Sequence, residues 1–238
     1  MSEIYNYIGF GLNISSDIKF PELLLSGDNP ADIIIRNGQI PDDLFPDNDL
    51  SQFQIHFHVK KFLLNMPGIA RYIATEGNEV IIDAYPGSDP GTVRLFCLSI
   101  TMAAVLTQRH KILLHSSAII FNEKLVLFLG DSGAGKSSIA AELSKRNYTI
   151  FSDDVCVLEP RSEKNNEVLA FSSYPMMKLW DDTVKELNNL KFDKIYKIRP
   201  ELEKYGHFFH EKFITKPYPI KKIFVLNPTD NEQEGYSF

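Results

Sequence analysis

Leu125-Val126-Leu127-Phe128-Leu129-Gly130-Asp131-Ser132-Gly133-Ala134-Gly135-Lys136-Ser137-Ser138-Ile139-Ala140-Ala141-Glu142-Leu143 decides how this chain is read. An apolar run suited to a buried strand enters a glycine-rich loop, and residues with helical spacing leave it. Gly130 to Ser137 fits G-x-x-x-x-G-K-[ST], and strand, loop and helix follow in the order that motif requires. The glycines let the loop fold back so that several backbone N–H groups converge on phosphate oxygens. The helix N-terminus adds partial positive charge. Lys136 is then placed to neutralise β- and γ-phosphate oxygens, and the Ser137 hydroxyl to ligate Mg2+. A ligand-free glycine-rich turn fits the pattern less well. The reading is a nucleotide site over Gly130, Asp131, Ser132, Gly133, Ala134, Gly135, Lys136, Ser137 and Ser138.

Asp153-Asp154 lies 16 residues beyond Ser137, after the strand-like Tyr148-Thr149-Ile150-Phe151-Ser152. Carboxylates at a strand end beside such a loop suit Mg2+ binding and orientation or deprotonation of a nucleophile. The competing reading is a solvated Asp-Asp turn. His115, in Leu113-Leu114-His115-Ser116-Ser117-Ala118, reads on its own as a core histidine of an apolar strand. The pairs His56/His58 and His207/His210 have ligand-like spacing but no nearby cysteine or third ligand, so they read as surface or core histidines.

Working outward, the 238 residues (27.1 kDa) allow one large domain or two small ones. With 44% hydrophobic residues a substantial core closes, and disorder as the main state is excluded. A net charge of −6 and a pI near 5.5 disfavour nonspecific binding to nucleic acid or anionic membrane. Cys97 and Cys156 sit in apolar contexts and read as small hydrophobes rather than a disulfide. No basic flank or apolar segment at the start resembles a secretory signal. The longest charge-free hydrophobic run, Leu95 to Gln108, is 14 residues, short of the ~20 that span a membrane. A soluble cytoplasmic protein is expected.

Residues 1–90 read as β-rich, with strand-like runs Ile4 to Ile14, Asp32 to Arg36, Phe53 to His58, Ile69 to Thr75 and Glu79 to Ala84. Pro41 to Ser51 reads as a loop. Val93, Phe96, Cys97, Ile100, Ala103, Ala104 and Thr107 then mark one face of a helix. Leu113 to Phe121 and Leu125 to Leu129 follow as strands about an Asn122-Glu123 turn, then a helix from Lys136 to Arg146. Thr149 to Ser152 and Val155 to Leu158 are again strand-like, Arg161 to Glu167 is a charged turn, and Ile223 to Leu226 reads as a strand. The expected organisation is a β-rich domain over 1–90 and a nucleotide-binding domain over 91–238.

Arg109 to Glu159 resembles the HPr kinase/phosphorylase-like P-loop family, whose core is akin to ATP-dependent phosphoenolpyruvate carboxykinase. The carrying residues are His115-Ser116-Ser117-Ala118, Gly130 to Ser138, Lys145-Arg146-Asn147-Tyr148 and Ser152-Asp153-Asp154, in that order. Tyr7 to Leu23, Pro67 to Tyr72, Tyr174 to Trp180 and Lys204 to Phe213 are similar more loosely. The resemblance implies an α/β P-loop kinase core with a β-rich N-terminal domain, and Mg2+- and ATP-dependent phosphorylation of a serine hydroxyl on a peptide or small protein. It implies that Lys136 and the loop amides hold phosphate and that Ser137 holds Mg2+. Asp153 and Asp154 would share the base and metal roles; Ser137 and Asp154 are named as the metal ligands, although the resemblance does not fix which of the two carboxylates takes which role. His115 would lie near the transferred phosphoryl group, and Lys204 and Lys212 fall where the family offers basic residues. The Arg-rich C-terminal strand of bifunctional members is missing, and the chain ends soon after Ile223 to Leu226, where related proteins continue. Homo-oligomerisation is left open.

Two readings of the first 90 residues stand side by side: an acceptor peptide adds to a strand edge near exposed aromatics such as Tyr5, Tyr7 and Phe10, or this half only covers the catalytic sheet. The rival readings are a small-molecule kinase or carboxykinase-like enzyme, and a nucleotide-binding regulatory module without turnover. A GTPase is disfavoured because Pro228 replaces the lysine of N-K-x-D after Asn227.

Overall fold

The computed structural model describes residues 3–45, 49–159, 167–186, 195–198 and 203–227. Of the charged turn expected from Arg161 to Glu167 only Glu167 is among them, and 228–238 lie outside them. The architecture is α/β, with three sheets and few helices.

The first sheet uses β1 (Tyr5–Gly9), β2 (Leu12–Ser16), β3 (Leu24–Leu25), β4 (Ile33–Asn37), β5 (Gln54–Phe57), β6 (Lys61–Met66), β7 (Ala70–Thr75) and β8 (Glu79–Ala84). Their order is β3-β1-β2-β4-β8-β7-β6-β5. The run Ile4 to Ile14 is therefore a hairpin rather than one strand, because Phe10 (φ 58°) and Gly11 (φ 72°) turn the chain in two residues. Expected exposure at the hairpin is also corrected. Tyr7 and Phe10 are 1% and 3% exposed, and Tyr7 Oη accepts the Phe20 N–H at 2.9 Å. Strand β1 is hydrogen-bonded on both sides, with Leu25 of β3 opposite Tyr7, so the open edges are β3 and β5 and not β1 itself.

Asp89 caps the next helix by accepting from Thr92 N–H at 2.7 Å, with Pro90 at the first helical position. Helix α1 (Pro90–Phe96), a π-helical turn (Cys97–Thr101) and α2 (Met102–Gln108) form one 19-residue run, long and apolar enough to cross a membrane by length and composition. This exceeds the charge-free stretch because it includes Arg94, whose guanidinium pairs with buried Glu22 at 3.0 Å. Val93, Cys97, Leu98, Met102, Val105 and Leu106 pack into the core over the first sheet. Tyr174, Met176 and Phe208 from later in the chain join the same core.

The second sheet contains β9 (Ile112–Leu114), β10 (Ser116–Phe121), β11 (Lys124–Gly130), β12 (Thr149–Ser152), β13 (Cys156–Glu159), β14 (Leu169–Ser172) and β18 (Tyr218–Leu226), in the order β12-β10-β11-β18-β14-β13-β9. Strand β11 runs into α3 (Lys136–Lys145). A third sheet, β15-β17-β16, uses β15 (Met176–Trp180), β16 (Ile195–Lys197) and β17 (Lys204–Phe208), and α4 (Asp181–Glu186) follows β15. Met177, Leu179 and Phe209 pack with Ala140 and Ala141, clamping α3 between the second and third sheets.

The strand expected from Leu113 to Phe121 is broken at His115. Strand β9 pairs with β13 while β10 pairs with β11 and β12. Its antiparallel neighbour breaks at the same level, because β12 and β13 are separated only by Asp153, Asp154 and Val155. The two interruptions are bridged by Ser116 N–H donating to the Asp154 carbonyl at 3.2 Å. Strand β18 runs parallel to β11, and Ile223, Phe224 and Val225 are exposed.

The β1–β2 turn seats on the second half of the chain. Phe10 N–H donates to the Ser173 carbonyl at 2.6 Å, and its ring lies 5.5 Å from that of Tyr174. A methyl group on Gly11 would come within 2.5 Å of the Phe171 ring. Gly11→Ala should therefore cost about 2–4 kcal/mol from positive φ and overpacking together. Urea unfolding should show this as a lower midpoint with an unchanged slope; an unshifted midpoint would mean that the tip is not seated.

Candidate functional site

A cleft of about 240 Å3 opens where β11, the broken strands and the third sheet meet. One wall is the 130–138 segment, from which Ser132, Gly133, Gly135, Lys136, Ser137 and Ser138 line it. The floor is His115, Asp153 and Asp154, and the facing wall is Lys178, Leu179, Trp180, Thr183 and Lys204. The fold thus brings His115, Lys136, Ser137, Asp153 and Asp154 to one cleft. Gly130, Asp131 and Ala134 shape the loop from behind rather than line the cleft. Gly130 (φ 149°) has no room for a Cβ, which would lie 2.7 Å from the Leu226 carbonyl oxygen. Ala134 N–H closes the turn on the Asp131 carbonyl at 3.1 Å.

Lys136 is only 7% exposed, and its Nζ donates to the carbonyls of Gly130 and Asp131, both at 2.8 Å. Ser137 Oγ donates to Asp153 Oδ1 at 2.8 Å. The expected pairing of Ser137 with Asp154 is therefore not the one the fold makes, because the turn after β12 directs Asp153 at α3 and Asp154 at the facing wall. Asp153 is 1% exposed and also accepts from Ser117 Oγ at 2.5 Å and from Lys178 N–H at 2.9 Å. A solvated Asp-Asp turn is excluded by that burial.

The two carboxylates have opposite electrostatics. Burial pushes the Asp153 carboxyl above its ordinary value of 3.8, against the hydrogen bonds from Ser117, Lys178 N–H and Ser137. Burial also opposes the charge of Asp154, but Lys178, and then His115 and Lys204, outweigh it and hold that carboxyl low. Lys178 Nζ meets Asp154 Oδ2 at 2.6 Å. Burial works against the ammonium too, yet Tyr174 and Asp154 raise it above the ordinary lysine value. The Tyr174 phenol is itself pushed up to about 12 by burial.

Asp154 has φ 72°, and Val155 N–H donates back to the Asp153 carbonyl at 2.9 Å, closing a three-residue turn in the rarer, strained γ geometry. Such a residue costs on the order of 1–3 kcal/mol and persists where its surroundings over-determine it. Here the Asp154 carbonyl accepts from Ser116 N–H and contacts His115 Nδ1 at 2.7 Å, while its carboxylate is pinned by Lys178.

Sequence reading missed Ser117, Lys178, Trp180 and Thr183. Lys178 did leave a signal, a lone cation in the apolar strand Met176-Met177-Lys178-Leu179-Trp180. Lys204 reaches the cleft, whereas Lys212, in a 3-10 turn over His210–Lys212, is exposed and does not line it. His56, His58, His207 and His210 also lie outside the lining. Among the described residues no group of three or more His, Cys, Asp or Glu is arranged to hold a metal, and Cys97 and Cys156 are buried free thiols.

No family model matches the chain, and no curated protein matches it. Among solved structures it is similar to the HPr(Ser) kinase/phosphatase from Coxiella burnetii, an enzyme, at 15% identity over 50% of this chain and 71% of that one, with a TM-score of 0.33. The site's own geometry therefore carries the functional reading.

The raised Asp153 carboxyl makes a signed prediction. Between the ordinary value of 3.8 and its higher folded value the native state binds more protons than the unfolded chain, so this group's contribution to stability falls as pH rises through that window. Asp153→Asn removes the contribution. In EDTA, the urea midpoint of the parent should fall relative to that of the variant as pH rises from 4 until the carboxyl is fully ionised. Parallel curves would mean that folding does not raise this carboxyl.

Proposed function

We propose that this protein is a Mg2+- and ATP-dependent kinase that transfers the γ-phosphoryl group to a serine hydroxyl of a peptide or small protein. The observation that carries the reading is the 2.8 Å contact of Ser137 with buried Asp153 beside the glycine loop that holds Lys136. Mg2+ prefers hard oxygen donors and needs only one or two carboxylates besides phosphate oxygens and water. Ser137 Oγ and Asp153 fit that demand and would hold it. When bound, the ion supplies charge neutralisation across the β- and γ-phosphate oxygens.

The remaining roles belong to the chain's own groups. Backbone N–H groups of the 130–137 loop and the first turn of α3 cradle phosphate. Lys136 exchanges the Gly130 and Asp131 carbonyls for phosphate oxygens, which carry more negative charge. Asp154, kept ionised by Lys178, takes the proton from the attacking serine hydroxyl. A serine alcohol is a poor nucleophile without such an acceptor. His115, held by its Nδ1 contact with the Asp154 carbonyl, lies beside the same carboxylate, 3.6 Å from Oδ1. In this reading residues 1–90 act as a buttress, residues 91–238 carry the chemistry, and the protein works in the cytoplasm on a protein substrate rather than on nucleic acid or membrane.

Incubation with Mg2+–ATP and an acceptor peptide should add about 80 Da per transfer, one phosphoryl group on a hydroxyl. Lys136→Ala should lower the transfer rate by roughly 100-fold or more and weaken nucleotide binding while the protein stays folded by circular dichroism. Parent-level transfer in that variant, or phosphate arriving only on small metabolites, would overturn the assignment.

A further inference from the structure

The cleft holds three lysines, and only two have a role so far. Lys136 is engaged by the loop carbonyls, and Lys178 is paired with Asp154 at 2.6 Å. Lys204 makes no ion pair among the described residues. It is the first residue of β17, directly opposite Trp180 in the β15–β17 register, and its Nζ lies 5.3 Å from the centre of the indole ring. Burial, and then the neighbouring Lys178 ammonium, disfavour its charge more than the Asp154 and Asp153 carboxylates favour it. A half-buried cation beside a second cation that already holds the Asp154 carboxylate in an ion pair gains from a further anionic ligand group. Trp180, 47% exposed, adds a flat apolar surface next to that ammonium, and Thr183 adds a hydroxyl on the same wall. Cation, ring and hydroxyl all stand on the third sheet and α4, facing the loop that the proposed function assigns to the nucleotide.

We propose that Lys204 and Trp180 form an acceptor subsite that takes a carboxylate adjacent to the serine hydroxyl. The proposal rests on the kinase reading for its choice of acceptor. The ammonium meets the carboxylate in a charge-assisted hydrogen bond, and the indole covers the chain next to it. The substrate class is thereby narrowed to serine acceptors with a negative charge one residue away or at their own C-terminus.

Three probes separate the sources of that charge: acetyl-Ala-Ser-Glu-Ala-amide, its Gln counterpart, and acetyl-Ala-Ala-Ser with a free terminal carboxylate. The parent should favour at least one anionic peptide over the neutral one by about 10- to 100-fold in kcat/KM, the range of a charged hydrogen bond. Lys204→Met should collapse that ratio to near one, and Lys204→Arg should retain most of it. Trp180 is the chain's one tryptophan, so its emission follows binding without any need for turnover. Emission should respond to the preferred anionic peptide at 10- to 100-fold lower concentration than to the neutral one. Phosphoryl transfer without preference for charge would overturn the subsite and leave the kinase reading standing. Charge-dependent emission with no phosphate on any peptide would do the reverse. Emission that moves with Mg2+–ATP alone, together with lost nucleotide affinity in Lys204→Met, would assign this wall to the nucleotide and overturn the proposal.

Discussion

A carboxylate with almost no access to water has to be saturated by donors, and the donors of Asp153 come from three separate elements. Ser117 stands on β10, Ser137 in the first turn of α3, and Lys178 N–H on β15. One carboxyl group thus ties together the second sheet, the loop helix and the third sheet, the same three elements that the cluster around Ala140 and Ala141 packs from the apolar side. Removing a partner from a buried charge is costly because the charge remains. Position and orientation of all three elements are therefore constrained by the same two oxygens.

The coincident breaks in two adjacent strands make that arrangement accessible. Side chains in an unbroken β9–β10 or β12–β13 strand would alternate between sheet faces. The breaks at His115 and at Asp153 to Val155 release the chain from that alternation and direct three polar side chains into one cleft. The strained turn at Asp154 is held by hydrogen bonds at its carbonyl and an ion pair at its carboxylate. The Lys178 ammonium that makes this pair is next to Tyr174, and Tyr174 is packed against Phe10 of the β1–β2 turn. The first sheet thereby reaches the cleft through two aromatic rings without contributing a side chain to its lining.

Much of the site was legible because its decisive part is local. Strand, glycine loop and helix are adjacent in sequence, so Gly130 to Ser138 announced their geometry. The association of His115 and Asp153-Asp154 with that loop was also legible in outline, but not the pairing. Whether Asp153 or Asp154 meets Ser137 depends on a positive φ at a non-glycine residue, which residue type does not reveal. The Phe10-Gly11 turn was missed for a related reason. An aromatic residue at positive φ is a poor turn signal, and it is tolerated here because burial against Tyr174 and a bond to Ser173 compensate. Strands β14 to β17 left little trace. Their short stretches pair across long sequence separations, and Lys178 interrupts the apolar pattern that would have marked β15.

The self-engaged state of Lys136 has a consequence for discrimination among anions. Two of its three N–H donors are engaged by loop carbonyls, so an anion that takes over those donors must compensate for the bonds it displaces. A small monovalent ion offers one contact in exchange for two. The polyphosphate of the proposed function would engage the backbone donors of the loop at several oxygens simultaneously and displace the carbonyls in the same event. Under the proposed function the loop would thus act as a threshold that favours a ligand long enough to span it over simple anions.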